Sequence, residues 1–227
     1  EMSWKSYCWL GLMCSSLLGC SSENADTNSP IIFTQLKAIF LGIHASERID
    51  PRKVITRTMI DQSSTPLILV DVLNSDQVAT MEAFPGNTLF EVWLGADGST
   101  VTTQNGLLVA TRGMGHDLMG ADLGAVKRAL HASLQGSHSK EYMRSLKYLV
   151  QDNQEKILGF TCTTVREDFE TIVLFDKAYE TRRIIENCQN KNEHFQNAYW
   201  IETNGKMRKS IQWQGQNIDL ILIEYLI

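Results

Sequence analysis

From Leu67 to the end of the chain, short apolar-rich runs alternate with turn dipeptides, and this rhythm limits the fold more than any other feature. Asp97-Gly98, Asn105-Gly106 and Asn204-Gly205 accept the positive φ of a tight hairpin turn, so each predicts an antiparallel pair of strands. The runs are "LILVDVL", "QVATMEAF", "TLFEVWLG", "STVTTQ", "GLLVATRG", "YMRSLKYLV", "KILGFTCTTV", "ETIVLF", "YETRRIIENC", "NAYWIET", "KMRKSIQW" and "NIDLILIEYLI". Strands joined in this way make a mainly β domain, an antiparallel barrel or meander with a few short helices.

Details within the runs carry further expectations. Lys206 to Trp213 alternates, with Met207, Ile211 and Trp213 against Arg208, Ser210 and Gln212, which predicts one wet face. "DLILIEYLI" is apolar almost throughout, so the last strand is expected to be buried on both sides or covered by a helix. "GADLGAVKRALHAS" interrupts the strands with a helix, placing Leu123, Val126, Ala129 and Leu130 near one face. Before the first strand, "DPRKVITRTMI" reads as a short helix with Asp50 as cap and Pro51 at its first position. "IIFTQLKAIFLG" puts Ile32, Leu36, Ile39 and Phe40 at helical spacing, with Ser29 before Pro30 as cap and Gly42 as stop. "WLGADG" and "WIETNG" share a pattern, which convergent hairpin chemistry explains as well as duplication does.

The start of the chain is of another kind. Residues 2–20 carry one charge, Lys5, followed by "SYCWLGLMCSSLLGC", an apolar run too short to span a bilayer and of the length of a signal-peptide core. Leu17, Leu18 and Gly19 lead directly into Cys20, which resembles a bacterial lipobox. That resemblance implies cleavage before Cys20 and acylation there; several acyl chains, at about 0.8 kcal/mol per buried methylene, anchor a protein stably. Ser21 rather than Asp follows the cysteine, which points to the outer membrane, with the domain facing the periplasm. "SSENADTNSP" buries too little apolar surface to order itself and reads as a tether. The expected organisation is a signal peptide over 1–19, a lipid-anchored tether over 20–30 and a mainly β periplasmic domain over 31–227.

The chain of 227 residues has 43% hydrophobic residues and a formal net charge of −5, the balance of a folded domain and one that argues against a nucleic-acid partner. Removing Cys8 and Cys14 with the signal and acylating Cys20 leaves Cys162 and Cys188. In an oxidising compartment that pair is expected to form a disulfide. A hairpin turning near Asp176-Lys177 brings them nearly opposite, although a bend at "REDF" would shift that register by a few residues.

"FEVWLGADGSTVTTQNGLLVATRGMGHDL", together with "CTTV", "AYETRRIIENCQN" and "FQNAYWIE", resembles the YjbF-like and GfcB-like family of group 4 capsule and exopolysaccharide lipoproteins. The resemblance covers most of residues 30–227. It implies a β-barrel-like periplasmic domain with an accessory role in capsule or exopolysaccharide assembly and export, acting on partner proteins or on the glycan, and it supplies no catalytic set.

No catalytic residue, cofactor or metal site is therefore expected. "RGMGHDLMGADL" is the best candidate for ligand contact, since Arg112, His116 and Asp117 lie among glycines that let backbone approach a ligand. A polysaccharide-modifying hydrolase is the competing reading, with His116 as base and Asp117 or Asp122 as orienter, although no Gly-x-Ser-x-Gly elbow accompanies them. The plainer reading is a turn in which Asp122 caps the next helix. Trp200 and Trp213, with Tyr142, Tyr148 and Tyr199, could stack on sugar rings if exposed, whereas aromatics at strand spacing more often fill a core. His131 and His138 read as loop residues, and Glu180, Arg182, Arg183 and Glu186 as charges facing water. A third reading, a barrel holding a lipid-like ligand, requires a roomy apolar interior.

Overall fold

The computed structural model describes residues 50–86, 89–137, 140–149 and 154–226. Cys20, the signal, the tether and the helix expected over Ile32 to Phe40 lie outside the described residues, as does His138.

Twelve antiparallel strands form one sheet. They are β1 (Leu67–Val72), β2 (Gln77–Phe84), β3 (Glu91–Gly95), β4 (Thr100–Gln104), β5 (Leu107–Arg112), β6 (Leu118–Ala121), β7 (Tyr142–Leu149), β8 (Glu155–Leu174), β9 (Lys177–Gln189), β10 (His194–Ile201), β11 (Met207–Gly215) and β12 (Asp219–Tyr225). Each strand pairs with its neighbour in sequence, except that β5 and β6 share no ladder, and β12 returns to pair with β1. The result is an up-and-down barrel closed everywhere but at one seam, the arrangement that removes exposed sheet edges.

The local chemistry explains the hairpins. Asn105 and Gly106 both take positive φ, 52° and 83°, as a two-residue turn between β4 and β5 requires. At Gly106 a Cβ would lie 2.5 Å from the Met207 sulfur, so the position is closed to side chains as well. The β8–β9 turn uses Phe175 and Asp176, φ 47° and 62°, one residue earlier than the sequence suggests and without a glycine. "KILGFTCTTV" and "ETIVLF" are one continuous strand. The expected bend is a bulge between Arg166 and Phe169, which advances β8 by one residue. Without it Cys162 would face Gln189; with it Cys162 faces Cys188.

The helix expected over "DPRKVITRTMI" divides into a 3₁₀ turn, Pro51–Lys53, and α1, Arg57–Asp61. Asp50 caps the first, accepting from the Arg52 N–H at 2.9 Å, and Thr56 restarts the second by accepting from the Met59 N–H. Together they cover the outer face of β1, where Ile55, Ile60, Leu67, Leu69 and Leu226 make a satellite core. That cover is why the first and last strands can be apolar on both faces.

The main core fills the barrel lumen, with Ile68, Val101, Leu118, Phe160, Tyr199 and Ile221 among its members, each at most 1% exposed. Side chains thus occupy the space that a lipid-like ligand would need. Helix α2 (Gly124–Leu134) packs Val126, Ala129 and Leu130 inward over one mouth of the barrel. Its Ser133 hydroxyl bonds that of Thr164 at 2.7 Å, and Lys127 reaches Gln104 on the far wall. Strand β1 starts at this same mouth, which we call the proximal mouth; the opposite end is the distal mouth.

Beyond Cys162, β8 outruns β7, and the β8–β9 hairpin continues as an arm. The arm folds over the outside of β10 and β11: Ile172, Leu174 and Tyr179 pack with Ile185, Ala198 and Trp200, and the Trp200 indole donates to Glu170 at 2.8 Å.

Candidate functional site

Three polar features stand out against this apolar frame. The first lies inside the barrel. Arg144 on β7 and Glu186 on β9 form an ion pair with side chains 1% and 0% exposed. The Glu186 carboxylate also accepts from Tyr142 at 2.7 Å, Tyr199 at 2.7 Å and Asn197 at 2.7 Å, and Arg144 donates to the Tyr199 hydroxyl at 3.1 Å. Glu186 therefore does not face water as its strand pattern suggests. Burial alone would lower the Arg144 guanidinium, but the Glu186 carboxylate and the Tyr199 hydroxyl beside it hold it above its ordinary range.

The disulfide borders this network. Cys162 and Cys188 are bonded across a directly opposed pair with Cα atoms 4.1 Å apart, the close spacing of a non-hydrogen-bonded pair. The two sulfurs and a Glu186 oxygen lie within 4.8 Å of one another. That trio would suit a metal only as thiolates, and the sulfurs are joined to each other.

The same network sets an alkaline limit. Burial, reinforced by the Glu186 carboxylate, raises the Tyr142 and Tyr199 hydroxyls well above the usual tyrosine range, and burial also raises Tyr148 and Tyr225. A raised folded value means that the folded chain holds protons the unfolded chain releases near pH 10. The stability is therefore complete below that pH and is lost as pH rises toward the folded values. Denaturant titrations between pH 8 and 11.5 should show stability falling above about pH 10, by up to about 1.4 kcal/mol per pH unit for each such tyrosine. Tyr199→Phe should make the fall shallower.

The second feature is the seam, where the sequence places its strongest ligand candidate. "GMGHDLMGA" holds an unanticipated strand, β6, and its polar groups close the barrel. The Thr111 hydroxyl accepts from the Leu118 N–H at 3.0 Å, and Arg112 donates to the Leu118 carbonyl at 3.0 Å. Asp117 accepts from the Thr111 hydroxyl and from the Gly113 and Met114 N–H groups. From the opposite wall, Gln214 donates to the Thr111 hydroxyl and the His116 carbonyl. Asp117 is thus the hub of a turn whose three donors do not include the exposed His116 ring. Asp122 accepts from the Gly124 N–H at 2.9 Å at the start of α2.

Gln214 belongs to β11, whose wet face does not exist. Bulges at Trp200/Ile201 and Trp213/Gly215 break the alternation and turn Ser210, Gln212 and Gln214 inward. Gln212 binds the β5 backbone, accepting from the Leu108 N–H and donating to the Gly106 carbonyl, both at 2.9 Å. A side-chain amide bonded at both ends substitutes for a strand neighbour at a sheet edge.

The third feature is a cleft of about 250 Å³ at the distal mouth, between the β1–β2 turn, the β11–β12 turn and the tip of the seam loop. Asn74, Gln77, Gln216, Asn217 and Asp219 line it with amide and carboxylate groups, and Met114 supplies an apolar wall. Asp219 takes a left-handed φ of 64° and accepts from the Asn74 amide.

A family model described as "Group 4 capsule polysaccharide lipoprotein gfcB, YjbF" matches residues 33–226. The chain belongs to the YjbF family. Family membership gives it a role in capsule polysaccharide assembly and a membrane-associated place in the cell envelope. No curated protein matches the chain. Among solved structures it is similar to the crystal structure of the hypothetical lipoprotein YmcC from Escherichia coli (K12), with TM-score 0.68 and 16% identity, over 88% of this chain and 97% of that one. At that identity the likeness concerns the fold.

Within this YjbF-family barrel the sequence-chosen residues scatter. Arg112, His116 and Asp117 sit together on the seam, next to the cleft through Met114. Trp213 is in the lumen, stacked on Phe195 at 4.5 Å with Phe160 at its edge, and is 5% exposed. Trp200 lies under the arm, between Arg183 at 5.2 Å and Lys209 at 4.8 Å. Tyr199 is fully buried, Tyr142 and Tyr148 are half-buried, and none of these rings forms a sugar platform. His131 is in α2, exposed, rather than in a loop. Sequence reasoning missed the cleft because its residues come from three separate turns, each polar like any other.

Proposed function

We propose that this chain is a non-catalytic lipoprotein, held by acyl chains at Cys20 to the outer membrane and facing the periplasm, where it assists capsule or exopolysaccharide export by binding the glycan at the distal cleft. The observation that carries the reading is the division of labour among polar groups. Those in the lumen, and Thr111, Arg112, Asp117 and Gln214 at the seam, are engaged in closing the barrel, with Asp117 occupied by three donors, whereas the cleft presents the Gln77, Gln216 and Asn217 amides to solvent beside the bonded Asn74–Asp219 pair. Such groups recognise sugar hydroxyls, which both donate and accept.

Two variants separate the halves of this reading. Cys20→Ala should move the protein from the outer-membrane fraction to the soluble periplasm; tight membrane association in that variant would refute the anchor. Gln216→Ala with Asn217→Ala, both exposed, should leave the fold intact and reduce surface polymer at least tenfold in a capsule-producing host. Unchanged polymer would exclude the cleft and leave a partner-protein surface as the working element.

A further inference from the structure

The arm ends in an open edge. The last β7–β8 pair is Tyr142 with Cys162, so among the described residues 165–174 of β8 have a ladder partner only on the β9 side. Proteins blunt such edges with lysine, proline, charge or bulges. Here the bulge and three of the four charges occupy Arg166 to Asp168. Phe169 to Leu174, "FETIVL", is regular strand containing one charge, Glu170, which is turned under the arm to the Trp200 indole.

Hairpin geometry fixes which backbone groups are free. In a two-residue turn at Phe175-Asp176, Leu174 and Lys177 form a hydrogen-bonded pair, so Leu174, Ile172 and Glu170 direct their N–H and C=O groups toward β9. Val173, Thr171 and Phe169 direct theirs to the open edge. The same residues carry side chains on the exposed face, Phe169 at 60% and Val173 at 64% exposure, while Ile172 and Leu174 are buried beneath.

We propose that this edge pairs with the same edge of a second copy of the chain, antiparallel, about a two-fold axis at Thr171. In that register Thr171 faces Thr171 of the second copy and Phe169 faces Val173 of the second copy, each pair exchanging both N–H···O bonds. The two most exposed large apolar side chains of residues 165–174 meet across it, and Glu170 faces Ile172. Shifting the axis to Phe169 sets Asp168 against Glu170, and shifting it to Val173 sets Glu170 against Asp176. Like charges directly opposed destabilise a ladder, so charge selects the Thr171 register. Association of this kind is isologous, closes at the dimer and removes the edge from further pairing.

The test uses the full chain with Cys8, Cys14 and Cys20 changed to Ser, so that the buried disulfide holds the remaining native cysteines. Thr171→Cys should form a covalent dimer under mild oxidation, seen on non-reducing gels, much faster than Gln216→Cys at the distal mouth. In sedimentation the chain should shift from monomer to dimer with concentration. Val173→Lys, an exposed change, should weaken dimerisation about tenfold by removing two Phe169–Val173 pairs at once. A chain that stays monomeric at its highest soluble concentration overturns the proposal, as does cross-linking at Thr171→Cys no faster than at Gln216→Cys. A persistently monomeric chain that captures a synthetic extended peptide at this edge would assign the edge to a strand of a different protein and reject the dimer.

Discussion

Glu186→Leu should lower the folding stability by about 3 to 5 kcal/mol, because it leaves the Arg144 guanidinium charged and buried with no counter-charge. The loss extends beyond the ion pair. Tyr142, Asn197 and Tyr199 all donate to that one carboxylate, and each would retain a buried donor without its acceptor. A domain of this size loses about 2 to 4 °C of melting temperature per kcal/mol, so a fall of about 6 to 20 °C is expected in thermal denaturation. Replacing both partners, Arg144→Met with Glu186→Leu, should recover part of the loss, since an apolar pair of similar volume carries no desolvation cost. If Glu186→Leu melts within a degree or two of the parent, the network is not the keystone described here.

The second large effect concerns the disulfide. Closing a loop with a sequence separation of 26 removes denatured-state entropy worth about 3.5 kcal/mol at 25 °C, so Cys162→Ala with Cys188→Ala should lose roughly that much. Both sulfurs are buried, at 0% and 2% exposure, so dithiothreitol should leave the bond intact in the native protein and reduce it only with denaturant present. Ready reduction without denaturant would mean that the root of the arm opens locally. Because β7 ends opposite Cys162, the bond clamps β8 to β9 at the point where the hairpin loses its third strand. Hydrogen exchange in the arm should therefore rise in the double variant more than in β1 or β12.

How much of this could be read in advance differs by element. Alternation and turn chemistry are local properties, so the strands, the Asn105-Gly106 hairpin and the buried face of α2 follow from a few adjacent residues. The opposed cysteines were legible because hairpin arithmetic is also local, down to the bulge at "REDF". The wet face expected for β11 failed because bulges invert the side-chain period, and a bulge is fixed by the partner strand rather than by the strand that carries it. Glu186 was misread for a related reason. A glutamate between isoleucines and a cysteine on a strand looks solvated until Arg144, 42 residues away, supplies the charge that makes its burial tolerable.

The seam shows the same division most clearly. "RGMGHDL" has the residue types of a site, and in sequence nothing distinguishes a loop that binds a ligand from one that closes a barrel. By itself the sequence determined that this chain would be an antiparallel run of hairpins, because hydrophobic period and turn propensity act between near neighbours. Only the tertiary structure decided which polar groups remain available to solvent. That depends on which strands meet across the lumen, and buried donors and acceptors must find partners wherever the fold brings them.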